Sequence, residues 1–162
     1  GLPDAFFANQ YVNRSVLLYY TGITRVAHDI LGEIVSNIFL NSARHITLIQ
    51  EIAYNADFAA DALQRHDWDG FCESIRRSWA LNQMLDSGTN PPAVQEIIDK
   101  VSPHLAACKL LGAGGGGYLL MIANDSEDGA RIKEVLDETP PNDRARFVDL
   151  NLSDTGFQVT KS

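Results

Sequence analysis

The spacing of apolar residues changes along this chain, and each change predicts a different kind of element. Short apolar runs, which suit buried strands, occupy three stretches: 14–20, 105–111 and 118–123. Apolar residues that recur every three or four positions predict four helices: 26–40, 43–63, 68–85 and 91–101. A weaker helical pattern covers 127–138, and two closing strands are expected over 144–152 and 156–160.

Two of the predicted helices carry apolar stripes that identify the face expected to be buried. In the helix over 43–63 the stripe consists of Ile46, Ile49, Ile52, Ala53, Ala56, Ala60 and Leu63. In the helix over 68–85 it consists of Trp68, Phe71, Cys72, Ile75, Trp79 and Leu85. Such stripes pack against a core, because burial of apolar surface is the main favourable term in folding.

This order of elements predicts an α+β domain: one strand, several helices, two strands, one helix and two strands. Without the helices inserted after the first strand, it is the split βαβ plan of ferredoxin-like domains, an antiparallel sheet with helices packed on one face. No linker, repeat or low-complexity stretch interrupts the sequence. We therefore expect one domain over residues 1–162, with the extra helices following the first strand.

Composition narrows the possible partners. The formal net charge is −8, which argues against the broad positive surface that nucleic acids require. No apolar stretch approaches the roughly 18 residues of a membrane span, so no membrane partner is expected. Cys72 and Cys108 form neither a disulfide framework nor a metal-binding spacing. This use of cysteine predicts a protein of the reducing cytoplasm without a metal site.

The densest chemical signal is a run of glycines. Five glycines stand among the six residues from Gly112 to Gly117. Gly112, Gly114 and Gly117 fit the pattern G-x-G-x-x-G, but a dinucleotide fingerprint must open a helix, and a predicted strand follows here. A Walker motif also fails, since no Gly-Lys-Ser/Thr follows. We therefore expect a strand–glycine loop–strand element.

Glycine allows another group to approach the backbone closely, so the amides of this loop would face an anion. The alternative is a tight hairpin whose glycines only permit close packing. The candidate binding residues of the loop are Gly112, Ala113, Gly114, Gly115, Gly116 and Gly117.

The segment Lys109-Leu-Leu-Gly-Ala-Gly-Gly-Gly-Gly-Tyr118 resembles the third motif of the GHMP kinases, which phosphorylate galactose, homoserine, mevalonate and related small molecules. In that family the motif belongs to a ferredoxin-like C-terminal domain, in agreement with the order of elements. Two further segments, 17–25 and 85–92, resemble the branch that contains the L-fucokinases and the heptose 7-phosphate kinases. Segments 144–148 and 156–162 are similar to the bacterial bifunctional fucokinase/GDP-fucose pyrophosphorylases.

The resemblance implies that this chain is part of a longer kinase. The family's main phosphate loop, a serine-rich glycine motif, lies in an N-terminal domain that also supplies the catalytic acid, and no such motif occurs here. The first residue, Gly1, also suggests an excised segment. We therefore expect the N-terminal kinase domain of the same polypeptide as a partner. That domain would supply the catalytic residues and hold most of ATP and Mg²⁺, so the isolated chain is expected to bind neither and to be inactive.

The implied reaction transfers the γ-phosphate of ATP to a small-molecule sugar. L-fucose is the favoured substrate and L-fucose 1-phosphate the product, with a heptose 7-phosphate kinase as the close alternative. Two alternatives belong to other classes: a non-catalytic ferredoxin-like module that binds a ligand, and an oligomerisation domain.

A polar turn follows the first strand and would extend the implied site. It contains Thr21, Gly22, Thr24 and Arg25. The planar guanidinium of Arg25 suits oxyanions, so it would brace the triphosphate or the sugar phosphate. The alternative is that Thr24 caps the next helix and Arg25 is solvated.

A second polar turn follows the helix over 68–85. Asp86, Ser87 and Asn90 would line the sugar pocket that the resemblance implies. The alternative is a helix stop, with Asn90 as the N-cap of the next helix and Pro91 in its first position.

Overall fold

The structure, a computed structural model, describes residues 15–24, 43–111, 117–153 and 156–160. The helix predicted over 26–40 lies outside these residues. The described residues form five strands: β1 (Val16–Tyr20), β2 (Leu105–Leu111), β3 (Tyr118–Ala123), β4 (Arg146–Ser153) and β5 (Gly156–Thr160). They also form four α-helices: α1 (Ala43–Gln64), α2 (Trp68–Leu85), α3 (Pro92–Val101) and α4 (Ser126–Glu138). Ser87–Thr89 and Ser102–His104 are single turns of 3₁₀-helix.

The strands form one antiparallel sheet in the order β2–β3–β1–β4–β5. The first four strands in this order follow the split βαβ plan, so the ferredoxin-like prediction is confirmed. The helices α1, α2 and α3 stand between β1 and β2, where the extra helices were expected. The β2, β3 and β5 bounds equal those predicted, whereas β4 begins two residues after the predicted residue 144.

The largest part of the core lies on one face of the sheet. Alternate residues of a strand point to opposite faces, and Leu17, Tyr19, Leu119 and Met121 all belong to the same cluster. Helices α3 and α4 cover this face with residues at helical spacing that are at most 8% exposed: Val94, Ile97, Ile98, Val101, Ile132 and Leu136. The apolar residues whose spacing predicted α3 are therefore the residues that it buries.

The opposite face of the sheet carries two smaller clusters. Val16 shares one with Leu63 of α1, and Ile122 shares the other with Cys72 of α2. Three half-buried residues of α2 border these clusters: Trp68, Phe71 and Ile75. The inserted helices α1 and α2 thus cover the opposite face of the sheet. The prediction that the helices pack on one face is therefore wrong, because the insertion supplies apolar residues that bury the second face as well.

The prediction of the buried face of α1 is wrong for five of its seven residues. Ile46 is 53% exposed and Ile49 is 49% exposed, and Ala53, Ala56 and Ala60 are exposed as well. Leu63 is buried as predicted and Ile52 is half-buried, but the other buried residues are Leu48, Asn55 and Ala62. Asn55 Nδ2 donates a hydrogen bond to the carbonyl oxygen of Ser74 in α2 at 2.9 Å. Because a polar residue lies on the face that meets α2, apolar spacing alone could not identify that face.

Helix α2 lies beside the edge strand β2 and runs in the same direction. Cys72 packs with Ala107, and farther along both elements Lys109 Nζ donates to Ser78 Oγ at 2.7 Å. The C-terminal end of α2 therefore lies at the end of the sheet where β2 enters the glycine loop. The turn that follows α2 is brought to the same end.

The start of α3 differs from the prediction by one residue. Pro92 is its first residue, and Pro91 is the N-cap, with φ −63° and ψ 153°. Asn90 instead closes the preceding 3₁₀ turn. A proline keeps the residue before it out of the α region, and Pro91 is the residue that precedes Pro92. The helix therefore starts after the second proline rather than at the first.

A polar cluster lies at the opposite end of the sheet, where β2 begins and β3 ends. His104 Nδ1 is 2.7 Å from Asp128 Oδ1, and Asn124 Nδ2 donates to Asp128 Oδ2 at 3.1 Å. The Asp125 side chain caps α4 by accepting from the Asp128 amide at 2.7 Å. The hydrogen bonds from His104 and Asn124 hold the pKa of the Asp128 carboxyl below its ordinary value.

We expect Asp128→Asn to destabilise the chain at neutral pH and to have little effect in acid. A carboxyl whose pKa is lowered by folding stabilises the folded state above its unfolded pKa of about 3.9, and this contribution is lost as the pH falls through the lowered value. Urea unfolding from about pH 7 down to about pH 2.5 should show the difference between wild type and variant shrinking. Asp143→Asn, at an exposed position, controls for loss of a charge. An Asp128→Asn effect that is independent of pH would contradict this assignment.

Candidate functional site

The glycine loop joins two paired strands. Leu111, the last residue of β2, is paired with Tyr118, the first residue of β3. The predicted strand–glycine loop–strand element is therefore confirmed, and the segment does not open a helix. Residues 112–116 lie outside the described residues, so the structure locates the loop by its two ends.

Gly117 anchors the C-terminal end of this loop. Its amide donates to the carbonyl oxygen of Ile23 at 3.1 Å, and its carbonyl oxygen accepts from the amide of Thr21 at 2.8 Å. The same carbonyl oxygen accepts from Thr21 Oγ1 at 2.8 Å. Its φ of +93° lies in the left-handed region that favours glycine. Since the amide is already occupied, Gly117 holds the loop rather than offering a donor to a ligand.

Thr21 and Gly22 form the surface on which the loop end rests. Thr21 is buried, and its Oγ1 also accepts from the amide of Ile23 at 3.2 Å. Gly22 has φ +69°, and a β carbon there would collide with the side-chain amide of Asn142. Thr24 is exposed at the edge of this segment. Arg25 lies outside the described residues.

Asn142 also belongs to this region, although it was not among the candidate site residues predicted from the sequence. Its Nδ2 donates to the carbonyl oxygen of Thr21 at 2.8 Å. Its Oδ1 accepts from the amides of Arg144 and Ala145, both at 2.9 Å. Asn142 thus joins the segment after β1 to the segment that enters β4. We call Thr21, Gly22, Gly117 and Asn142 together the loop clamp.

Cations and aromatic rings lie beside the loop clamp. Arg144 Nη2 lies 3.4 Å from the carbonyl oxygen of Gly22. Arg146 Cζ is 5.2 Å from the centre of the Tyr20 ring, and the Tyr20 and Tyr118 rings are 5.2 Å apart. Two guanidinium groups therefore lie beside the loop clamp, and their planar shape suits an oxyanion.

The turn after α2 lies at the same end of the sheet. Asp86 Oδ1 accepts from the Gly88 amide at 2.9 Å, and Asn90 Nδ2 donates to Gln83 and Gln95 at 3.2 and 2.7 Å. Ser87 is exposed. Asn90 Oδ1 is buried and has no hydrogen-bond partner among the described residues. These contacts are those of a structural turn, with one acceptor left for a donor from elsewhere.

Two observations limit the chemistry of the described part of the chain. It contains no group of three or more His, Cys, Asp or Glu side chains that could hold a metal ion. None of its helices is long and apolar enough to cross a membrane.

Burial lowers the pKa of Lys109, whose ammonium group donates to Ser78 rather than standing free in solvent.

A sequence model of the family described as "GHMP kinases C terminal" matches residues 59–142, more than half of the 162-residue chain. The chain therefore belongs to the GHMP kinase family and carries its C-terminal domain. The resemblance inferred from the glycine motif is confirmed.

Among curated proteins, the chain is 49% identical over 161 residues to the L-fucokinase/L-fucose-1-P guanylyltransferase of Bacteroides fragilis, covering 99% of this chain and 17% of that protein. It is 28% identical over 127 residues to the bifunctional fucokinase/GDP-fucose pyrophosphorylase of Arabidopsis thaliana, covering 78% of this chain and 12% of that protein. The chain spans less than a fifth of either relative.

The fold has a counterpart among solved structures. The L. major mevalonate kinase, crystallised with R-mevalonate, superposes with a TM-score of 0.65 at 17% identity. The match covers 82% of this chain and 40% of that one. At this level of identity the likeness concerns the fold alone.

Proposed function

We propose that this chain is the C-terminal domain of a longer ATP-dependent sugar kinase that converts L-fucose to L-fucose 1-phosphate. The observation that carries the proposal is the 49% identity, over 99% of the chain, to a protein named L-fucokinase/L-fucose-1-P guanylyltransferase. The match covers only 17% of that relative's length, which supports a larger polypeptide that includes an N-terminal kinase domain. In the same proposal the enzyme works in the cytoplasm, as expected from its cysteines.

Phosphoryl transfer depends mainly on positioning and on stabilisation of charge. In the proposed enzyme, the amides of residues 112–116 donate to phosphate oxygens, while Gly117 and Thr21 hold the loop. Thr24 and Arg25, at the start of the next segment, contact the triphosphate or the sugar phosphate. Gly22 provides the close backbone approach that this packing needs.

The turn after α2 supplies the proposed contacts to the sugar. Asn90 Oδ1 is a buried acceptor without a partner among the described residues, and it would accept from a sugar hydroxyl. Asp86 and Ser87 flank it at the same end of the sheet. A buried acceptor that a ligand satisfies discriminates strongly against analogues without the hydroxyl.

The residues described beside the glycine loop, which are arginines and backbone groups, fit a phosphate group. The described part of the chain contains no group of three or more His, Cys, Asp or Glu side chains that could hold a metal ion. In this proposal the ligands of Mg²⁺, which would neutralise charge on the phosphates of ATP, belong to the N-terminal domain. The catalytic acid belongs to the same domain in this proposal.

The test compares the full-length polypeptide with the 162-residue chain alone. We expect L-fucose-dependent release of ADP from ATP by the full-length protein, with phosphate on the anomeric oxygen as seen by ³¹P NMR. The isolated chain should release no ADP above background, because the main phosphate loop is absent from its sequence. ATP turnover by the isolated chain would contradict the assignment of the catalytic acid and the main phosphate loop to the N-terminal domain.

The choice of sugar is tested with the same assay. L-fucose and a heptose 7-phosphate are supplied at equal concentrations, and kcat/KM is compared. A higher kcat/KM for the heptose 7-phosphate would show that this sugar, rather than L-fucose, is the preferred substrate. If neither sugar supports ATP turnover, the result would favour a non-catalytic ligand-binding module.

A further inference from the structure

We propose that Asn142 is a positioning residue for the glycine loop, an inference that rests on the proposed kinase function. Asn142 lies between two segments that are distant in sequence, and its side chain makes three hydrogen bonds, all to backbone groups. It is half-buried. Its effect must therefore pass through the backbone it holds.

The orientation of the Asn142 amide is fixed by its partners. Two of them, the amides of Arg144 and Ala145, can only donate, so they face Oδ1. The third, the carbonyl oxygen of Thr21, can only accept, so it faces Nδ2. Neither aspartate nor leucine, both of similar size, could make all three bonds at neutral pH.

Asn142 is connected to the glycine loop through Thr21. Asn142 Nδ2 holds the carbonyl group of Thr21, and the amide and Oγ1 of Thr21 both donate to the carbonyl oxygen of Gly117. The amide of Gly117 returns a bond to Ile23. Both polar groups of the last loop residue are thus held by the segment that Asn142 positions.

This connection fixes the C-terminal anchor of the glycine loop. When both polar groups of the Gly117 backbone are held, its position relative to β1 is set. In the proposed enzyme, a shift of Thr21 would move Gly117, and with it the loop, relative to the phosphate. Displacement of a catalytic contact by about 1 Å costs roughly 100-fold in rate.

The test uses the full-length polypeptide with ATP and L-fucose at saturation. Asn142→Asp keeps the acceptor oxygen but loses the donor to Thr21, and Asn142→Ala loses all three bonds. We expect both variants to lower kcat by about 10- to 100-fold, with KM for either substrate changed less than about threefold. Asp143→Ala, at the exposed neighbouring position, is the matched control and should leave kcat unchanged.

A double-mutant cycle with Thr21→Val separates positioning from general destabilisation. If Asn142 acts through Thr21, Asn142→Asp combined with Thr21→Val should lose no more kcat than the worse single variant. Assays run well below the melting temperature of each variant. The inference would be overturned if the kcat losses of the two single variants multiply in the double variant. A wild-type kcat in Asn142→Asp would overturn it as well.

Hydrogen exchange gives a readout that does not depend on activity. Backbone amides of Thr21 and Gly117 should exchange faster in Asn142→Asp than in wild type or Asp143→Ala. If the wild-type polypeptide has no sugar-dependent turnover, the proposed function fails, but faster exchange would still support the positioning of the loop. Unchanged exchange at both amides would overturn the inference regardless of activity.

Discussion

Replacing Leu119 by alanine should lower the free energy of unfolding of this chain by about 2–5 kcal/mol. Leu119 lies within β3, is 0% exposed, and belongs to the largest apolar cluster. It is paired with Tyr19 on one side and Leu110 on the other, so few neighbours can move into the space left by the missing carbons. Urea unfolding followed by circular dichroism measures the change.

Leu111→Ala is the matched control for this experiment. Leu111 is also a strand leucine, but it is 39% exposed and stands at the end of β2. The same substitution should therefore cost less than about 1 kcal/mol. Similar losses at both positions would mean that Leu119 is not at the centre of the core.

Replacing Gly22 by alanine should cost about 2–5 kcal/mol. Two effects add at this position. Alanine is strained at φ +69°, and its β carbon would collide with the Asn142 side-chain amide. That amide cannot move aside without breaking the hydrogen bonds that join it to Thr21, Arg144 and Ala145.

Gly117→Ala separates the two effects. Gly117 also has a positive φ, +93°, but a β carbon there would meet none of the described residues within 4 Å. This variant should therefore show the backbone strain alone, about 1–2 kcal/mol. In an Asn142→Ala background, Gly22→Ala should fall to a similar cost, because the colliding group is gone. Equal losses for Gly22→Ala with and without Asn142 would contradict the proposed collision.

Features encoded by neighbouring residues could be predicted from the sequence. The β2–β3 connection followed from glycines set between two apolar runs, and the buried residues of α3 followed from helical spacing within ten residues. The start of α3 was missed by one residue, because the constraint of Pro92 on Pro91 outweighed the tendency of Asn90 to cap.

Features that depend on distant partners could not be predicted in this way. The buried face of α1 includes Asn55, whose partner Ser74 lies in the next helix. Asn142 follows a proline-rich turn and looks like an ordinary loop residue until the fold brings it to Thr21. The ligand roles of Thr24, Arg25, Asp86, Ser87 and Asn90 remain predictions.

The loop clamp also constrains the order in which the chain folds. Thr21 and Gly117 are 96 positions apart, and Asn142 and Thr21 are 121 positions apart. Contacts at such separations carry a loop-closure entropy that two or three hydrogen bonds cannot offset, so β1 must first pair with β3 and β4. During synthesis, Asn142 leaves the ribosome long after β1 has been made. Gly117 therefore reaches its final position late, only after Asn142 has been translated.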